Sequence, residues 1–220
     1  MMQLHFDYPE NDDYWETIYS KGVLDPQCWV ESALDLVRTM NYLRAPVIAF
    51  FTAAAREQIL PLEQKVQGSY MMIAAFAVEN LLKAIIAKRS SSQDAAQTAT
   101  LPSKVKTHDV VKLAAMAGVS LTDAGLELLQ RLTYFAVWAG RYPAPVRVKD
   151  LMPQTIVGSD PNTLNYFRGM DIRAIDDILD HCAKMLGVQS LVGEVNRGYS
   201  GELAVWEQVV MHQFVKPWDA

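Results

Sequence analysis

Between residues 66 and 89 the apolar positions leave no polar face: Met71, Met72, Ile73, Phe76, Val78, Leu81, Leu82, Ile85 and Ile86 point to every side of a helical wheel. A helix that is hydrophobic all round is one surrounded by others. The pattern therefore predicts a central helix from about Leu62 to Arg89. Before it, Asp25-Pro26 offers a cap followed by proline at the first helical position, which predicts a helix to about Leu43. Pro46 predicts a break, and VIAFFTAAAREQIL a second helix that Pro61 ends.

Downstream the pattern shortens. SSSQDAAQTATLPS has no apolar period and predicts a loop. Thr107 is the expected cap of a short helix, HDVVKLAAMAG, with Gly118 as its stop. Thr122 opens DAGLELLQRLTYFAVWAG, which closes on the stretch WAGRYPAP at 138–145. Residues 144–170, rich in Pro, Gly, Asn and Asp, are expected to be irregular, with VRVKDLM and QTIVG as a possible short hairpin. From Asp171 the residues Ile172, Ile175, Ile178, Leu179, Cys182 and Leu186 fall on one helical face that Gly187 ends, and a last helix is expected near 201–214. The fold class is thus all-α: an antiparallel up-and-down helical bundle (61–190), an N-terminal helical extension (1–60) and a C-terminal helical tail (191–220).

Composition changes this picture little. The two cysteines, Cys28 and Cys182, form no metal-ligand spacing, so neither a disulfide framework nor a zinc site is expected, and a cytoplasmic setting fits. The first fifteen residues are acidic and lack the basic and apolar regions of a secretory signal. Glu79 and Lys83 interrupt the most apolar run, which argues for a buried helix over a membrane span. Charge is more telling in its distribution than in its total of −5: residues 83–149 hold ten Lys/Arg against four Asp/Glu, while both flanking parts are acidic. A basic middle can mark an anion-binding face or simply balance its flanks.

Candidate chemistry gathers in that middle. Glu79 and Lys83, four residues apart, share a helix face and can pair or line a pocket. His108 sits where a helix is expected to begin, among backbone N–H groups that attract anions, and can act as hydrogen-bond partner or base. Arg131, Tyr134, Trp138 and Arg141 form one helical stripe alternating cation and aromatic, suited to stacking on bases and holding phosphate, with Leu128, Leu132, Phe135 and Ala139 as the opposite, core-facing stripe. Gly140 would let the chain turn, and Pro143 and Pro145 would hold Arg141 and Tyr142 in a fixed direction. Alternatively, Arg141 satisfies the free carbonyls of the helix end or pairs with Glu79. Asp176, Asp177 and Asp180 with His181 are expected to form a solvated acidic face, not a metal site. No dinucleotide, P-loop, HExxH or GxSxG motif is present.

The ordered set AVENLLKAIIAK, THDVVKLAAMAGV and WAGRYPAP, over residues 66–186, resembles helical proteins of the HEPN superfamily. The resemblance implies a helical bundle, often a homodimer, tied to nucleotide or RNA binding, RNA cleavage, or toxin–antitoxin and antiviral systems. The arginine-to-histidine motif of the ribonuclease branch, with four to six residues between, is missing; the nearest approach is Arg173 to His181 with seven. Three readings follow. The first is a module binding a nucleotide, RNA or a partner protein through Glu79, Lys83, Trp138 and Tyr142 together with His108 and Arg141. The second is a metal-independent ribonuclease with His108 as base and Arg141 as phosphate stabiliser. The third is a dimerisation scaffold. None calls for a cofactor or a membrane.

Overall fold

The computed structural model describes residues 12–55, 66–93, 105–141 and 167–188. Within them the chain is all-α. The helices are α1 (Asp12–Leu24), α2 (Pro26–Ala55), α3 (Gln67–Gln93), α4 (Val110–Met116), α5 (Asp123–Tyr134) and α6 (Asp171–Leu186), with a π-helical turn, Phe135–Ala139, continuing α5. The last helix expected near 201–214, the hairpin and the C-terminal tail lie outside the described residues.

The all-round apolar pattern of α3 is explained by its neighbours: it packs against α1, α2, α4, α5, the π turn and α6. Among the described residues it is the one helix long and apolar enough to cross a bilayer, and 78 % of its apolar window is buried inside the protein, as a central core helix requires. Between its two ends, what is not fully buried on α3 runs as a single stripe through Ser69, Met72, Ile73, Phe76 and Asn80. That stripe borders the site described below.

Pro46 does not break α2. One helix of 30 residues runs through it. Val37, Met40, Arg44, Val47 and Ile48 are all buried and keep a continuous i, i+3, i+4 stripe across the proline, so packing outweighs one lost hydrogen bond. Tyr42, whose carbonyl loses its donor, is 83 % exposed, which puts the defect on the solvent side. The stripe joins the same core cluster as α3, α4, α5 and α6, so α2 is a wall of the bundle. Trp29, near the start of α2, lies under Lys83 in the later half of α3, whereas Phe51, near the end of α2, meets Phe167 edge to face and Tyr70, near the start of α3, stacks on the same ring. The two helices therefore run in opposite directions.

Short-range stops fall where the local chemistry demands. Thr122 Oγ1 accepts from Gly125 N at 3.2 Å and caps α5. Gly118 (φ +61°) and Gly187 (φ +76°) take the left-handed conformation after α4 and α6. Val119 N–H and Val188 N–H then reach back to the Ala114 and Ala183 carbonyls.

Two buried arginine forks pin α6 in place. Arg44, on α2 and 1 % exposed, donates from both terminal nitrogens to Asp176, with the Nη1–Oδ2 bond at 2.6 Å. Arg131 on α5 makes the same fork to Asp171, whose Oδ1 lies 2.8 Å from Nη2 and whose Oδ2 also accepts from Arg168 N. Two expectations are corrected here. Asp176 is not on a solvated acidic face: burial pushes its carboxyl up, against the pull of Arg44. Arg131 does not point outward to stack on bases, because it is buried together with Tyr134 and Trp138 of the same stripe.

Candidate functional site

Glu79 lies near the middle of α3, among apolar neighbours, and is buried. A lone carboxylate there would be expensive, and both of its oxygens are engaged. Oε1 meets Lys83 Nζ at 2.7 Å, one helical turn on, and Oε2 meets His108 Nδ1 at 2.9 Å. Lys83 is also buried and sits 5.2 Å from the centre of the Trp29 ring, whose own N–H donates to the Val23 carbonyl. Lys83 is thus a counter-ion held from two sides, with little surface left to offer a ligand.

His108 differs: 52 % of its side chain is exposed. It does not sit in a helix-terminal anion nest. The cap of α4 is Asp109, not Thr107, and Asp109 Oδ1 accepts from Lys112 N at 3.0 Å. Val110 N donates to Thr133 Oγ1 on α5 at 3.1 Å, so Val110 and Lys112 have their backbone donors already spent. Thr107 Oγ1 takes Asp109 N instead, one step before the cap. What places the imidazole is Glu79 on one side and the Phe76 ring on another, edge to face at 5.7 Å.

Arg141 stands on the same aromatic ring. Its guanidinium carbon is 5.8 Å from the Phe76 centroid. The π turn explains how it is held. Gly140 N donates to Phe135 O, five residues back, and Arg141 N donates to Trp138 O. The Ala136 and Val137 carbonyls therefore lose the donors an α-helix would have supplied. Arg141 Nη2 serves both, at 2.6 and 3.1 Å. Arg141 is thus a carbonyl clamp at the helix end, as one sequence reading had it, and the clamp parks its charge beside Phe76.

Gly140 serves a different end from the one expected. Its φ of −81° is open to any residue. The constraint is contact: a Cβ there would lie 2.5 Å from Met72 Cβ on α3. The glycine lets the π turn lie flat on the central helix.

The six candidate residues divide accordingly. Glu79, Lys83 and His108 are joined in one bonded chain, and Arg141 flanks it across Phe76. Trp138 is buried in a small separate cluster with Tyr134, their rings 4.8 Å apart, and its Nε1 has no hydrogen-bond partner among the described residues. It offers no surface platform. Tyr142, Pro143 and Pro145 lie outside the described residues. Phe76 and Trp29 were missed as site residues because in sequence they look like core filler; their spacing of one turn from Glu79 (Phe76) and the i, i+4 pairing of Glu79 with Lys83 are the only local signals. Among the described residues no cluster of His, Cys, Asp or Glu could hold a metal.

Chemically, the arrangement offers an accessible imidazole oriented by a buried carboxylate, an aromatic ring and an arginine side by side. No family model, curated protein or solved structure matches this chain.

Proposed function

We propose that the chain is a HEPN-like helical module that binds RNA or a nucleotide on the face where His108 and Arg141 flank Phe76. The observation that carries this reading is the half-exposed His108, held through Nδ1 by a carboxylate that is itself buried and neutralised by Lys83. A structural histidine has no need of such a buried carboxylate–lysine support, whereas an imidazole that must meet a ligand in one orientation does. The nearby arginine adds positive charge and the phenyl ring a surface for a base.

The test is fluorescence anisotropy with a labelled single-stranded RNA. Binding is expected to weaken as salt rises and to weaken further in His108→Ala and in Arg141→Gln. Absence of binding, or binding indifferent to salt and to both substitutions, refutes the reading. A second reading, metal-independent RNA cleavage, is favoured by one feature: a carboxylate-oriented histidine is the layout of a general base. Under it, RNA is cut in the presence of a chelator by the wild-type protein and not by His108→Ala.

A further inference from the structure

The bonding around Glu79 fixes more than the position of His108. A carboxylate only accepts hydrogen bonds, and a lysine ammonium only donates them. Glu79 Oε1 faces Lys83 Nζ and Oε2 faces His108 Nδ1. The imidazole must therefore carry a proton on Nδ1, and whenever the ring is uncharged Nε2 is left as a lone pair. Such a nitrogen cannot hold a phosphate oxygen, which also only accepts. It can hold a hydroxyl or an N–H.

We propose that Glu79 is a positioning residue that sets His108 as an acceptor, and that the ligand group it reads is the ribose 2′-hydroxyl. This rests on the RNA or nucleotide reading above, and it assigns the two flanks of Phe76 different tasks. Arg141 supplies the charge, and His108 distinguishes ribose from deoxyribose. The 2′-hydroxyl is the group by which a protein tells RNA from DNA at a given site. One neutral hydrogen bond is worth about a 3- to 10-fold preference for the ribose strand.

Glu79→Gln makes a sharp probe. Lys83 demands an acceptor, so the glutamine carbonyl must face it, and the amide N–H₂ then points at His108 Nδ1. The imidazole has to answer with a lone pair at Nδ1 and a proton at Nε2. The substitution inverts the polarity of the exposed nitrogen with almost no change of shape.

The first measurement is the tautomer of His108 in ¹⁵N-histidine-labelled protein at pH 8, by long-range ¹H–¹⁵N NMR. The chain has four histidines, and His108 is identified by the signal lost in His108→Ala. The wild type is expected to carry Nδ1–H; Nε2–H there overturns the role of Glu79 whatever becomes of Glu79→Gln. The second is the affinity for matched ribo- and deoxyribo-oligonucleotides. The wild type is expected to prefer the ribose strand and His108→Ala to lose that preference, while Glu79→Gln, checked for native circular dichroism, is expected to switch the ring to Nε2–H. Equal binding of both strands by a wild type that carries Nδ1–H overturns the 2′-hydroxyl contact alone. Binding of neither strand overturns the RNA reading, and the hydroxyl contact with it.

Discussion

Replacing Arg44 by methionine leaves the Asp176 carboxyl buried without its fork. Both partners are nearly closed to solvent, so neither can be rescued by water. Breaking such a pair from one side costs about 3–5 kcal/mol. The carboxyl has an escape, which is to take up a proton, and that sets a ceiling. Neutralising an ordinary aspartate at pH 7 costs about 4 kcal/mol, from 1.36 kcal/mol per pH unit above a reference pKa of about 3.9. Arg44→Met should therefore lose roughly 3–4 kcal/mol at pH 7, or about 6–16 °C in Tm for a chain of this size. The ceiling falls by about 2.7 kcal/mol on going to pH 5, since the folded variant then binds its extra proton more cheaply. Asp176→Asn behaves otherwise, because an arginine cannot shed its charge: its deficit should be similar at pH 7 and stay there at pH 5. Urea unfolding followed at 222 nm, with the slope m checked for constancy, gives all four numbers. A loss below about 1 kcal/mol for Arg44→Met at pH 7, or a deficit that does not shrink with acid, would refute the reasoning.

Three further outcomes follow from geometry already given. Gly140→Ala drives a methyl onto Met72 and should cost about 1–3 kcal/mol in urea unfolding; unchanged stability would show that the close approach is not real. Of the two thiols, the exposed Cys28 should react with a disulfide reagent in the native protein, and Cys182, buried and pushed up to about 12 by its surroundings, should react only after unfolding; two fast thiols would contradict the packing of α6. His181 is held below its usual range, by desolvation first and Lys184 second, so the folded protein binds that proton less tightly than the unfolded chain. Its contribution is fully present above the unfolded value near 6.5 and is lost as pH falls from there through the lower folded value. Wild-type Tm should accordingly drop relative to His181→Gln between pH 7.5 and 5.5, and parallel curves would be the contrary result.

What could be read from the sequence was mainly what is decided within a few residues. The Thr122 cap, the glycine stops at 118 and 187 and the buried face of α6 all depend on near neighbours, and all are found where expected. Pro46 misled because its local signal is strong and its remedy, a stripe of contacts with α3, is tertiary. Arg131 and Asp176 misled in the opposite way: charge suggested water, whereas partners 40 and 132 residues distant had been set against them. A clue was available in Arg44, which interrupts a regular apolar stripe from Val37 to Ile48 and so had to be matched by an acid from another helix. For the site, the pairing of Glu79 with Lys83 was visible, being one turn apart. His108 was expected at the same site, but its direct bond to Glu79 was not visible, since nothing near His108 in sequence indicates a carboxylate on α3.

The wide turn at Phe135–Ala139 amounts to one residue more than a regular helix would use over that span. Each residue of an α-helix advances the bearing of the next by about 100°. Removing one alanine there would let the coil close up with ordinary hydrogen bonding, and would swing everything beyond it by more than a quarter of a circle. The guanidinium would then aim away from the phenyl ring, with both carbonyls it now serves content without it. A kink that looks like a flaw in the spiral works as the phase setting that brings two distant parts of the chain to face the same ring.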